Sequence, residues 1–266
     1  MTFQNQLLNG KNALITGSTS GIGLSIAKCL AEAGCNIVLN GLGNENEIES
    51  IRQGLENDFD TKVLYDGANM MDGEAITTMV EQAEETLGSV DILVNNAGIQ
   101  HVSAIDEFPG DKWQAIIAIN LNSNFYSIKA ALPGMKSRNW GRIINVASVH
   151  GLVASPFKSA YVSAKHGVIG LTKTVALEIA EQNITCNAIC PGYVKTPLVE
   201  GQIKDQAKVH NMSEEQVIRD VMLAAQPSKK FVEADQLGQL AVFLSSEAGS
   251  SFNGAALPVD GGWVAR

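Results

Sequence analysis

Tyr161 and Lys165 stand four residues apart, so if residues 161–180 are helical the two side chains lie one turn apart on one face. An ammonium beside a phenol favours the phenolate, and a phenolate is a general base. Lowering a tyrosine from about 10 to about 7 takes roughly 4 kcal/mol. One cation at about 4 Å supplies ~1 kcal/mol at the dielectric of water but ~4 kcal/mol at an effective value near 20, so the chemistry needs a site shielded from solvent. Taken alone, such a pair is more often a snorkelling surface pair. Ser148 adds weight: it follows the β-rich run 142–146, at the carboxyl end of a strand, where open α/β sheets place their ligands.

A second constellation, Thr16-Gly17-Ser18-Thr19-Ser20-Gly21-Ile22-Gly23, sits straight after the first apolar run and opens the first helical stretch. Glycines there let the backbone turn tightly and approach a pyrophosphate, whose charge meets free N–H groups at the helix N-terminus. A ribose 2′-phosphate would need a nearby Arg or Lys. Ser20 is uncharged, and Asn40-Gly41-Leu42-Gly43, after the second strand, holds no cation. The expectation is NAD rather than NADP, by exclusion, because the usual acidic ribose contact is missing too.

These groups need a scaffold, and the chain alternates short β-rich runs with helical stripes. Strands are expected at 12–16, 36–39, 62–65, 91–94, 142–146, 185–189 and 256–259. Helices are expected at 22–33, 45–55, 74–87, within 112–135, at 161–180 and at 234–244. Such alternation with buried, run-like strands implies a parallel sheet covered on both faces and doubly wound, in one α/β domain over residues 1–266. Residues 196–231 break the pattern: polar, of mixed charge, with a weak stripe at Val217, Ile218, Val221 and Met222. This segment reads either as a lid or as a solvated pair of surface helices. No cationic leader or membrane-length apolar run is seen. The net charge of −9 argues against nucleic-acid and anionic-membrane partners. A soluble, cytoplasmic protein is expected. Cys29, Cys35, Cys186 and Cys190 read as buried thiols rather than a metal site.

Gly17-x-x-x-Gly21-x-Gly23, Asn95-Asn96-Ala97-Gly98, Asn120, Ser148, Tyr161-x-x-x-Lys165 and Pro191-Gly192 occur in an order that resembles the short-chain dehydrogenase/reductase family, over nearly the whole chain. The resemblance implies a Rossmann-type sheet of seven strands, a homotetramer and a nicotinamide cofactor. It implies that Tyr161 is the acid/base, that Lys165 lowers its pKa and holds the nicotinamide ribose, that Ser148 polarises the reacting oxygen, and that Asn120 holds a water linking Lys165 to solvent. The cofactor contacts it implies include Gly17, Thr19, Gly21, Ile22 and Gly23 in the glycine loop, and Leu42, Asn69, Met70, Asn96, Ala97 and Gly98 toward the adenosine. Pro191, Val194 and Thr196 would lie toward the carboxamide. Asn69 stands where the family has an acidic residue.

Within the family, Gln100, His150, Lys158 and Gln202 are similar to residues that grip a substrate carboxylate. The implied reaction is NAD-dependent oxidation of (R)-3-hydroxybutyrate to acetoacetate. One Lys, a protonated His and two amide donors make a good carboxylate clamp. The competing expectations are another reductase of the family, acting on a carrier-bound 3-oxoacyl group, sugar or steroid, and a non-catalytic NAD/NADH sensor. Trp263 reads either as a cap on a neighbouring subunit's site or as an anchor for the tail, while Trp113 and Trp140 read as packing.

Overall fold

The computed structural model describes residues 7–265 apart from 197, 198, 201, 202, 205, 206 and 208–210. Seven parallel strands form one sheet: β1 (Asn12–Ile15), β2 (Asn36–Asn40), β3 (Val63–Asp66), β4 (Ile92–Asn95), β5 (Gly141–Val146), β6 (Ile184–Pro191) and, last in the chain, β9 (Ala256–Val259), in the order β3-β2-β1-β4-β5-β6-β9. The order reverses between β1 and β4, which opens a crevice at the carboxyl edge where such sheets bind ligands. A two-stranded parallel ribbon, β7 (Val194–Lys195) with β8 (Val232–Glu233), lies outside the sequence expectation. It ties the two ends of segment 196–231 together.

Helices α1 (Gly21–Glu32), α2 (Glu45–Phe59), α3 (Gly73–Leu87), α4 (Gly110–Ile117), α5 (Ser123–Arg138), α6 (Ser159–Glu178) and α7 (Ala234–Ser245) flank the sheet. Alternate strand residues feed opposite cores. Ala13, Ile15, Ile37 and Leu39 pack toward α1 and α7, whereas Leu14, Val38, Leu93 and Ile143 pack toward α3 and α5. No described helix is long and apolar enough to cross a membrane.

The helix expected within 112–135 is found as α5, set off from α4 by a π-helical turn at Ala118–Asn122. Wide turns of this kind gather at functional sites, and this one carries Asn120. In 196–231 the stripe forms only a short helical turn, Glu214–Gln216, with a capping box on Ser213, continuing as the π turn Val217–Met222.

Beneath the carboxyl edge runs a ladder of buried amides. Ser127 donates to Asn95 Oδ1 (2.6 Å), Asn95 Nδ2 to Asn145 Oδ1 (2.9 Å), and Asn145 Nδ2 to Thr172 Oγ1 (2.8 Å). It fixes α5, β4, β5 and α6 to one another just below the reacting groups. Asn145→Ala leaves the Asn95 amide buried without its acceptor, so a loss of about 2–4 kcal/mol in unfolding free energy is expected. Urea denaturation measures it, and an unchanged midpoint would show the ladder to be dispensable.

Candidate active site

Ser148 stands just past β5 in extended backbone and caps a 3₁₀ turn, Val149–Gly151, by accepting the His150 N–H at 3.1 Å. That turn packs directly on α6: a Cβ on Gly151 would lie 2.7 Å from the Lys165 carbonyl oxygen. The close approach sets Ser148 against Tyr161, whose phenol takes part in a side-chain hydrogen bond with it. Lys165, one turn on, is buried, donates from Nζ to the Val146 carbonyl at 2.8 Å, and lies 5.6 Å from the Tyr161 ring centroid.

Burial pushes the Lys165 ammonium down to about 8, with Cys190 acting the other way, so it is still mostly charged at neutral pH. The Tyr161 phenol is raised by burial, and the bond with Ser148 opposes that rise. In the chain alone, the cost of desolvating a phenolate therefore outweighs what Ser148 returns. Asn120 is fully buried and its carboxamide is engaged on both sides by Ile99, accepting from N–H and donating to C=O at 2.9 Å each. The side chain thus pins the strand-end loop carrying Gly98.

The glycine loop is built for close backbone approach. Gly17 and Gly21 have φ of 62° and 55°, and a Cβ on Gly23 would collide with the Gly17 carbonyl. The Asn96 amide donates to the Thr16 and Gly17 carbonyls at 3.0 and 2.9 Å, and Ala97 backs directly onto Gly17. Ile22 lies in the first turn of α1, a helix of 12 residues. Thr196, at the foot of the expected lid, comes within 3.8 Å of a Cβ placed on Gly21. Leu42 is exposed beyond β2, Met70 is buried, and Asn69 is exposed with its side-chain oxygen taken by the Met71 N–H at 3.0 Å. Pro191 ends β6 and Val194 is buried in β7. A backbone cradle with free helix-terminal N–H groups fits a dinucleotide pyrophosphate.

The structure brings His150 and Lys158 to the same rim as Ser148 and Tyr161. His150 Nε2 meets Ser155 Oγ at 2.8 Å, and its ring stands edge-on to Tyr161 at 6.1 Å and to Trp263 at 5.4 Å. Trp263 stacks on Tyr193 at 5.9 Å, and Lys158 Nζ lies 5.8 Å from the Tyr193 ring. Gln226, fully buried, accepts the Tyr193 N–H at 2.9 Å and so anchors this wall. Tyr193 and Gln226 line this wall and were not singled out in the sequence, whereas Trp263 was read only as a cap or a tail anchor. Tyr193 meets Gln226 and Trp263 from 33 and 70 positions away, which spacing does not reveal. Gln100 is exposed on the rim after Gly98, and Gln202 lies outside the described residues.

His150 corrects the expectation of a protonated clamp histidine. Burial, then the charges of Lys158 and His166, push it down to about 4, so it is a neutral hydrogen-bonding group. Burial also lowers Lys158. Trp263 packs within its own chain. The four cysteines are free and buried, and among the described residues no cluster of side chains could hold a metal ion.

A family profile for short chain dehydrogenases matches residues 11–207. The chain is 54% identical over 256 residues to a D-beta-hydroxybutyrate dehydrogenase of Rhizobium meliloti, covering 96% of this chain and 99% of that protein. It is 55% identical over 264 residues to one of Cupriavidus necator, covering 98% and 100%. A crystal structure of a putative short-chain alcohol dehydrogenase from Sinorhizobium meliloti superposes with a TM-score of 0.86 at 33% identity, covering 97% of this chain and 98% of that one. With its doubly wound sheet and its serine, tyrosine and lysine at the end of β5, the protein belongs to the short-chain dehydrogenase family.

The low value at His150 has a sign. The folded state binds fewer protons than the unfolded chain between its folded value near 4 and an unfolded value near 6.5. This group's stabilisation is therefore full above about 6.5 and is lost as pH falls toward 4, by about 3 kcal/mol in all. Denaturation across that window should show a slope that His150→Gln flattens, and NMR should show the His150 imidazole titrating well below the usual histidine range.

Proposed function

We propose that the protein is an NAD-dependent dehydrogenase that oxidises (R)-3-hydroxybutyrate reversibly to acetoacetate. The observation that carries this reading is the adjacency of Lys158 and His150 to the buried Ser148 and Lys165 and the half-buried Tyr161. It offers a carboxylate anchor next to an oxygen-activating pair. The identity of over half to two relatives named for that substrate supports it.

Lys158 and neutral His150, with Gln100 and Gln202, hold the carboxylate. Charge-assisted bonds are the strong class, and a chain of net charge −9 needs such a local reversal of sign. Ser148 orients the 3-hydroxyl, and Tyr161 accepts its proton during oxidation or returns it during reduction. With the dinucleotide's pyrophosphate in the glycine cradle, an oxidised nicotinamide would supply the hydride acceptor and a further positive charge near the phenol. Lys165 holds its proton near neutrality and keeps the field at the phenol positive. Its geometry suits a bond to the nicotinamide ribose, while Asn120 fixes the loop beneath.

Gly17, Thr19, Gly21, Ile22 and Gly23 would cradle the pyrophosphate. Leu42, Asn69, Met70, Asn96, Ala97 and Gly98 would border the adenosine, and Pro191, Val194 and Thr196 the carboxamide. The absence of a cation from the 40–43 turn supports NAD over NADP. Segment 196–231 serves as a lid within the single domain, hinged on the β7–β8 ribbon. Two separate apolar surfaces support a homotetramer: Phe125 and Leu177 stand exposed on α5 and α6, and Phe243 meets Phe252 edge-on beside β9. Reduced, buried thiols suit the cytoplasm.

NADH formation with each enantiomer of 3-hydroxybutyrate, using NAD and NADP in parallel, tests the assignment. Only the R enantiomer with NAD should turn over rapidly. Tyr161→Phe should lower kcat by about 10²–10⁴-fold with NADH affinity retained. Lys158→Ala should raise KM about tenfold or more with kcat little changed. Turnover of a ketone lacking the carboxylate at the same efficiency would overturn the substrate reading.

A further inference from the structure

Dinucleotide-binding sheets usually carry an acidic residue against the adenosine ribose just past the second strand; this chain has Gly41 there. The reason is local, because a Cβ on Gly41 would collide with the hydroxyl of Thr19, which the glycine loop lays across it. The neighbouring Leu42 is 68% exposed. Tyr65, paired in register with Leu39, reaches over from β3 and donates its hydroxyl to the Gly41 carbonyl at 2.8 Å. Gly67 leaves room for it, since a Cβ there would come within 3.1 Å of the phenol oxygen.

Two carboxylates are placed near this turn by the fold: Asp66 follows Tyr65 in β3, and Glu45 opens α2 three residues beyond Leu42. After burial, Asp66 and then Glu45 raise the pKa of the Tyr65 phenol. Asp66 spends one oxygen on the Ala68 N–H at 2.7 Å. Glu45 begins α2, whose one cation, Arg52, is committed to Glu49 and Glu56. Among the described residues, neither Glu45 nor Asp66 is in an ion pair.

We propose that Tyr65 and Glu45 set the preference for an unphosphorylated adenosine ribose, in place of the missing acidic residue at the end of β2. The inference rests on the NAD reading above. Tyr65 is a positioning residue that pins the Gly41 carbonyl and with it the turn bearing Leu42. Glu45, with Asp66 beside it, leaves uncompensated negative charge at the strand end, where a 2′-phosphate would bring up to two more negative charges.

Dissociation constants for NADH and NADPH, read by nucleotide fluorescence at low and physiological ionic strength, test this without catalysis. Wild type should bind NADPH far more weakly than NADH. Glu45→Gln should tighten NADPH by about three- to tenfold and leave NADH within about twofold, and Glu45→Lys should tighten it further. Both gains should shrink as salt screens the charge. Tyr65→Phe should weaken NADH more than NADPH and narrow the ratio, whereas a merely structural loss would weaken both alike. Ratios unchanged in all three variants, on a wild type that discriminates, would overturn this proposal and leave the NAD reading standing. A wild type binding both nucleotides equally would overturn both.

Discussion

The site depends on one buried ammonium. Lys165 sits at the carboxyl end of β5, where it donates to the Val146 main-chain carbonyl, and among the described residues no carboxylate pairs with it. Removing a cation from water without a counter-ion is costly, and the depressed value near 8 reflects that cost. A paired lysine would be more comfortable and less useful, since a neighbouring carboxylate would cancel the field at Tyr161. Glycines make the position possible. Gly151 lets the Ser148 turn touch the Lys165 backbone, and Gly167 lets α6 close on Leu121 in the helix run before α5.

Elsewhere along the carboxyl edge the chain uses amides where charges would have served poorly. Asn40 accepts the Gly17 N–H and donates to the Asp66 and Ala68 carbonyls, linking the glycine loop to the turn after β3. Asn96 holds the same loop from β4, Asn120 holds Ile99, and Asn95 with Asn145 joins the central strands. An amide both donates and accepts, so Asn40 and Asn120 each clamp backbone from two sides while Asn95 and Asn145 relay between side chains, all without adding net charge. The electrostatics are thereby left to Lys165 and Lys158.

Much of this was legible in the sequence because it is local. The spacing of Tyr161 and Lys165, the glycine turn between β1 and α1, and the strand preceding Ser148 are short-range patterns, and all stand where expected. The helix expected somewhere within 112–135 is found as α5, but its break from α4 was not legible, because apolar spacing does not reveal the π turn that accompanies Asn120 in its bonds to Ile99. The charge of His150 was misjudged for a different reason: residue type says nothing of burial, and Tyr161 on α6 and Trp263 from near the chain's end stand edge-on to its ring. The Tyr193–Trp263 stack spans 70 positions and has no signature in spacing. Gln202 lies outside the described residues.

A neutral His150 also clarifies how labour is divided within the site. Substrate and product of the proposed reaction carry the same carboxylate, so a clamp of Lys158, His150 and amides binds both, and the transition state between them, about equally. Uniform binding of this kind lowers KM and leaves kcat unchanged. A second formal cation would strengthen that uniform grip and slow product release without lowering the barrier. The rate must come from groups that sense the reacting oxygen, where charge changes during the step: Ser148, Tyr161 and the ammonium of Lys165. In the chain alone burial raises the Tyr161 phenol, so in the proposed reaction a cationic nicotinamide beside it would be what favours the phenolate, and a site without that group would hold a poorer base.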